Sequence, residues 1–249
     1  LSADTPNRFL LNILPEQVEP IRARLKAIGV SDPLLFPFAV GRLIAINGEA
    51  ANAARFPDPR AGRFLDGNLN LSWSEQLPEA NKLVAGQWWS EGPEVSLAEN
   101  FAKIFNLGLN DRITISVGDR QIEARVSSIR SVDWDSFRVN FFLLYKPSTV
   151  ADLESTSVTS IRTNAEQARQ LGPLLRDFPN VTLIDVDALL TRILSVVDAV
   201  VSSLQAIFWC ALAAAACVLL AALAVSAGAR RFESALWRSL GASRQTLQR

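Results

Sequence analysis

Hydrophobic positions change their spacing several times along this chain, and each change marks a different kind of element. Residues 7–13 (NRFLLNI) read as a buried strand, followed by Pro15-Glu16, a helix start with an acid in the first turn. Val18, Ile21, Leu25 and Ile28 then recur on one helical face until Gly29, and Pro20 either kinks this helix or marks a start near Glu19. Residues 34–46 return as an apolar strand closed by the turn pair Asn47-Gly48, completing a βαβ unit. A second unit is legible late in the chain: a strand over 157–162, Asn164 as helix cap, a helix over 165–178 that contains Pro173, and a returning strand over 181–184.

Between the units the pattern shifts toward period two. Residues 50–67 read as a polar loop with Pro57, Pro59 and Gly62, residues 68–74 alternate as a strand, and 98–105 suit a short helix. Ile113, Ile115 and Val117, then Ile122, Ala124 and Val126, form the arms of a hairpin around Gly118-Asp119, and 137–145 read as a long apolar strand. The expected fold is therefore α+β. Two small βαβ lobes at 1–49 and 151–186 enclose an inserted β-rich subdomain at 50–150.

From Asp187 the spacing becomes three and four. Leu190, Ile193, Val197, Val200 and Leu204 form a seam over 187–205 that continues through Ile207 and Ala211. Either this seam packs on its own domain, or it is the face of a rigid stalk. It runs without a Pro or Gly break into residues 206–229, which carry no charge at all. At about 1.5 Å per residue these positions reach roughly 36 Å, enough to cross a hydrocarbon core of about 30 Å, whereas buried helices of soluble proteins are rarely charge-free for so long.

Charge orients the span. Arg230, Arg231, Arg238, Arg244 and Arg249 follow it against one acid, Glu233, in a chain of balanced charge with 25 basic and 25 acidic residues. The positive-inside rule then places the C-terminal end in the cytoplasm and the large N-terminal part outside. Balanced charge also argues against nucleic acid as the main partner. The chain contains no Met and starts without a signal-peptide pattern, so it is expected to be a piece of a longer polypeptide. Both cysteines, Cys210 and Cys217, fall in the span seven positions apart, too far along a helix to bridge.

The inventory of reactive residues excludes most chemistry. With no His, the usual Ser-His-acid and Cys-His schemes and histidine-containing zinc sites are ruled out; no P-loop or nucleophile-elbow motif is present either. Asp133 and Asp135 flank Trp134 in an expected turn, where acids serve as caps or stay solvated. No catalytic residue, metal site or cofactor is expected. Trp88, Trp89 and Trp134 are candidates either for a hydrophobic binding surface or for core positions, and Trp209 suits an interfacial anchor. After the span, Phe232, Leu236 and Leu240 share one face of a short basic helix ended by Gly241, which fits either lipid headgroups or a cytoplasmic partner.

The run at 230–245 (RRFESALWRSLGASRQ) resembles the E-x-A-L-x-R-x-L-G-A-S signature that follows a transmembrane helix in FtsX-like permeases, the group that includes MacB, LolC and LolE. PNRFLLNILPEQV, GRLIAINGE, NLSWSEQLPEANKLVAGQWW and VDWDSFRVNFF are similar to the YbbP branch of that family. The resemblance implies a permease segment of an ABC transporter of the mechanotransmission type, with ferredoxin-like lobes outside the bacterial inner membrane. It implies that Glu233, Leu236, Arg238, Leu240, Gly241, Ala242 and Ser243 in the segment 230–249 meet a cytoplasmic, YbbA-like ATPase. A periplasmic lysophospholipase or thioesterase and membrane lipid are further implied partners, and the implied cargo is lipid-like or lipoprotein-like. A membrane-anchored sensor, or a scaffold that regulates a partner hydrolase without transport, is the alternative.

Overall fold

The structure, a computed structural model, describes residues 5–239. The chain divides into two compact units, Leu1–Asp187 and Ala188–Arg249.

In the first unit, β1 (Arg8–Ile13) leads through one turn of 3-10 helix into α1 (Val18–Ala27) and back as β2 (Phe36–Ile46). Pro20 falls in the first turn of α1, where its missing N–H has no intrahelical partner to lose, so the helix tolerates it without a break. Late in the unit come β10 (Thr156–Ile161), α4 (Ala165–Asp177) and β11 (Thr182–Asp185). Asn164 caps α4 reciprocally: its side chain accepts from the Gln167 backbone N–H at 2.9 Å, and the Gln167 side chain accepts from the Asn164 N–H at 3.0 Å.

These two βαβ units do not form separate lobes. β1 pairs antiparallel with both β10 and β11, and β10 pairs antiparallel with β2, giving one interleaved sheet in the order β11-β1-β10-β2. The two-lobe expectation is corrected for a physical reason. Two strands and one helix bury too little apolar surface to stand alone; pooled, α1 and α4 cover the same sheet face, and Leu10, Ile13, Ile21, Leu25, Leu171 and Leu174 close one core.

Between β2 and β10 the chain adds β3 (Glu49–Ala50), α2 (Arg60–Asp66), β4 (Leu69–Trp73), β5 (Asn81–Gly86), β6 (Glu94–Ala98), α3 (Glu99–Phe105), β7 (Arg112–Val117), β8 (Arg120–Val132) and β9 (Leu143–Tyr145). Pairing runs β2-β4-β9-β6-β8-β7 and returns to β2, a closed six-strand barrel in which β4–β9 and β6–β8 are parallel and the other pairs antiparallel. Leu71, Val95, Leu97, Ile113, Ile115 and Leu143 are fully buried in its core, joined by Phe101 and Phe105 of α3. β2 serves both layers: Phe36–Phe38 pair with β10 and Arg42–Ile46 with β7. The change of partner falls next to Gly41, where a Cβ would meet Ile115 Cγ2 at 2.6 Å and the Ser116 carbonyl oxygen at 2.9 Å, so only glycine lets the strands approach this closely.

Two expectations for the middle region are revised. Residues 50–67 contain the helix α2, held by tertiary contact: Ala61 is fully buried and Phe64 meets Phe101 edge to face at 5.4 Å. Of residues 137–145, expected as one strand, only Leu143–Tyr145 pair. Phe137 takes a left-handed backbone (φ 52°) and the Phe141 carbonyl accepts from the Arg130 guanidinium at 2.6 Å, which diverts 137–142 from a ladder. This crossing segment lies where barrel and sheet meet. Val139, Phe141, Leu144 and Val158 form a third small core there, with Phe9, Phe36 and Phe38 against it.

The described residues of the second unit are helical. α5 (Val186–Ser239) takes its first two residues from the first unit and runs for 54 residues, roughly 80 Å at 1.5 Å per residue. Its stretch Val186–Ser226 is long and apolar enough to cross a membrane.

Candidate functional site

The start of α5 is tied into the sheet by side chains far apart in sequence. Asn7 precedes β1 and is buried, with 3% exposure. Its Nδ2 donates to the Thr163 carbonyl at 3.0 Å and to Asp187 Oδ2 at 2.7 Å, while its Oδ1 accepts from the Thr163 N–H at 3.0 Å. Its own carbonyl accepts from the Val186 N–H at 3.0 Å. One amide thus holds the turn before α4 and the first turn of α5 together, with its donors and its acceptor all in use. Arg8 reinforces the joint. Its guanidinium pairs with Asp185 at 2.6 Å and hydrogen-bonds the Thr163 hydroxyl and carbonyl.

Along α5 the expected seam residues stand as follows: Leu190 is half-buried, and Ile193, Val197, Val200 and Leu204 are exposed. Trp209 is exposed and meets Phe208 edge to face at 6.0 Å, and Cys210 and Cys217 are free thiols on the helix surface. The helix continues past Arg230-Arg231, so Glu233, Leu236 and Arg238 lie within it. Leu240, Gly241, Ala242 and Ser243 lie outside the described residues.

Trp88 and Trp89 stack on each other with centroids 4.3 Å apart. Both are half-buried, and their ring N–H groups donate to the carbonyls of Glu75 (2.8 Å) and Ser74 (3.0 Å), so the pair staples two loops together. Trp88 also packs on the core where sheet and barrel meet. Trp134, 42% exposed, stacks instead on Phe142 at 4.7 Å. The expected aromatic surface is therefore divided between two places, each with its own neighbours.

Several buried polar groups escape sequence reasoning. Glu94 is fully buried and accepts from Arg125, from the Ser90 hydroxyl and from the Ser90 N–H, which fixes the loop just after the tryptophan pair. Arg130 is fully buried and donates to Asn81 Oδ1 at 2.5 Å and to the Phe141 carbonyl at 2.6 Å. Burial pushes its guanidinium down to about 9, because the charged form loses its hydration. Tyr145 points its hydroxyl into the barrel core, where no hydrogen-bond partner reaches it among the described residues and burial raises its ionisation well above the ordinary phenol range. None of these shows as a pattern: an Arg or Glu in an alternating strand reads as solvent-facing until the segment that covers it is placed.

A half-open cleft of about 520 Å³ lies between the β2–β3 turn and α3, with Phe56 and Phe105 in its wall and Arg55, Asp58 and Lys103 on its rim. Its charges are occupied by neighbours: Arg55 pairs with Glu49, Lys103 with Glu99 at 2.7 Å, and Asp58 with Arg60, whose hydrogen bonds hold the Asp58 carboxyl down at about 2. Among the described residues no group of His, Cys, Asp and Glu is arranged to hold a metal.

With no catalytic constellation among the described residues, comparison with known proteins carries the assignment. No protein-family model matches the chain. In Escherichia coli K12 an ABC transporter permease, YbbP, itself described as uncharacterized, is 32% identical over 248 residues; the match takes in 100% of this chain and 30% of that protein. The chain thus spans about a third of the length of this curated relative. A crystal structure of a domain attributed to a permease of Porphyromonas gingivalis aligns with 72% of this chain and 86% of its own, at 10% identity and a TM-score of 0.34, a likeness too distant to bear on the fold. The sequence match and α5, the one membrane-length helix among the described residues, together support a location in the inner membrane. The match, which runs from the first strand through the apolar helix, supports reading the chain as a segment similar to the FtsX-like ABC transporter permeases of the YbbP branch.

Proposed function

We propose that this chain is the part of an ABC permease in which a globular unit outside the membrane is driven through a long helix by ATP binding in a separate cytoplasmic subunit. The observation that carries this reading is α5: it starts at a strand of the first unit and runs as one helix through a charge-free span to the arginines beyond it. An α-helix is stiff along its axis because each backbone N–H is bonded one turn back, so an axial or tilting displacement at one end reaches the other. Arg230 and Arg231 orient it with the tail in the cytoplasm. There Glu233, Leu236, Arg238, Leu240, Gly241, Ala242 and Ser243 dock on a YbbA-like ATPase. Leu190, Ile193, Val197, Val200 and Leu204 form the contact face of the stalk. We read the interleaved sheet as a single ferredoxin-like lobe into which the barrel is inserted. The subunit itself is non-catalytic. Its cargo is lipid-like or lipoprotein-like, met at apolar surface such as that of Trp88, Trp89 and Trp134, and a periplasmic lysophospholipase or thioesterase works alongside it.

The test is a proline at Val197 in the full-length permease, reconstituted with its ATPase in vesicles. Proline removes one helix hydrogen bond and clashes with the preceding turn, a local cost of about 3 kcal/mol that kinks the helix. ATP hydrolysis is expected to persist while ATP-dependent release of a labelled lipid or lipoprotein is lost. Release at the wild-type rate would show that force does not travel along α5.

A further inference from the structure

Driving a helix moves a domain only if the helix is fastened to more than its preceding strand. Without such a fastening, a pull on α5 would be absorbed by the single peptide link between β11 and Val186. The structure holds a fastening of this kind at one buried amide. Asn7 bonds Asp187 in the first turn of α5, both backbone groups of Thr163 at the mouth of α4, and through its own carbonyl the N–H of Val186. These partners lie 156 and 180 positions away in sequence. Arg8 doubles the link from the next position, with Asp185 at the end of β11 and Thr163 in the turn between β10 and α4. Three of the sheet's chain ends therefore converge on two consecutive side chains.

We propose that Asn7 is the joint that transmits displacement of the α5 root to the sheet and to α4, with Arg8 as its brace, and that it acts as a positioning residue of the permease rather than as a binding one. The chemistry supports this over a role in folding alone. The two backbone groups of Thr163 satisfy the amide carbonyl and one N–H, and for folding alone any neutral acceptor would serve the other. Here one of its two N–H groups is spent instead on a carboxylate of the moving helix, a charge-assisted bond that is short and directional. The proposal rests on the lever reading above, and the experiment separates the two.

The experiment uses the full-length permease with its ATPase in lipid bilayers, with Cys210 and Cys217 replaced by Ser and a single spin label at exposed Ser195 on α5 or at exposed Gln170 on α4. In the parent protein, ATP is expected to change the signal at both positions. In Asn7→Ala and in Asp187→Ala the Ser195 response is expected to persist, while the Gln170 response weakens by about 2- to 30-fold, the range found when residues on a coupling route are altered. Asp187→Ala leaves the Asn7–Thr163 bonds in place, so it decides the matter should Asn7→Ala fail to fold. Asn7→Asp sets two carboxylates face to face and is expected to weaken the Gln170 response in the same way; adding Asp187→Asn restores a donor across the pair, though not the bond to the Thr163 carbonyl, and recovers the response in part, which a mere packing role would not do. A Gln170 response of parental size in folded Asp187→Ala overturns the joint. No ATP response at Ser195 in the parent overturns the lever, and the joint with it.

Discussion

The barrel and the long helix solve opposite problems with much the same apolar residues. In the barrel, Leu97, Ile113 and Ile115 are hidden completely because alternate positions of six strands point into one interior. In α5, Ile207, Leu219 and Val225 are each well over half exposed, because an apolar surface all round a single helix has no inside to turn to. The first arrangement makes its own apolar medium, and the second requires one from the bilayer. Burial inside the protein and burial in lipid are thus told apart by periodicity: period two with polar breaks demands partner strands, whereas an uninterrupted run over 206–229 demands a hydrocarbon phase.

Mutations sharpen this contrast, beginning with the barrel. Phe101→Ala removes a ring that is fully buried and in contact with Phe64, Phe105 and Phe142; a loss of about 3–5 kcal/mol is expected in the unfolding of the first unit, read by denaturant titration of the chain in detergent. Leu219→Ala in α5, by contrast, leaves that transition where it was, since Leu219 is 61% exposed. Equal shifts from the two substitutions would break the comparison. A charge in the middle of the apolar run tests the other side of it. Val218→Asp is expected to lower membrane insertion by about 2.5–3.5 kcal/mol, scored by the fraction of chain resisting carbonate extraction, with the first unit's unfolding unchanged.

The smallest effect concerns a polar atom inside the barrel. Tyr145→Phe deletes a buried hydroxyl that has no partner among the described residues, so stability at neutral pH is expected to stay level or rise by less than about 1 kcal/mol. A pH series gives this substitution a sign. Burial raises the Tyr145 ionisation in the folded chain above the ordinary phenol value of 10.0, so above that pH the unfolded chain releases a proton that the folded chain keeps, and stability falls as pH rises. The phenylalanine variant lacks this loss. Its advantage over the parent is expected to grow from pH 10 upward, and a constant difference across the series would place the hydroxyl in contact with water.

Individual elements were legible where local chemistry was sufficient. Asn164 is a cap by virtue of its own side chain and Gln167 three residues on, Asn47-Gly48 turns because both residues tolerate positive φ, and the hairpin around Gly118 follows from alternation alone. The FtsX-like resemblance was legible for the same reason, since it resides in side-chain identities along the chain. Partnership between strands was not. Nothing in 7–13 says that β1 lies between β10 and β11, because a strand's edges are backbone groups that accept any partner in register. The crossing segment 137–142 was misread for a related reason: its apolar residues satisfy a junction between two layers, and a strand pattern is the nearest local description of such burial.

By itself, then, the sequence determined the class of most segments, the apolar helix and the arginines that follow it, since these depend on periodicity, charge and length over a few turns. Only the tertiary structure decided that two βαβ units share one sheet, that six strands close into a barrel, and that Asn7, Thr163 and Asp187 meet. The physical reason is separation. Contacts across 156 or 180 positions depend on which closed arrangement buries the most apolar surface with every backbone group paired, and that is a property of the whole chain rather than of any window within it.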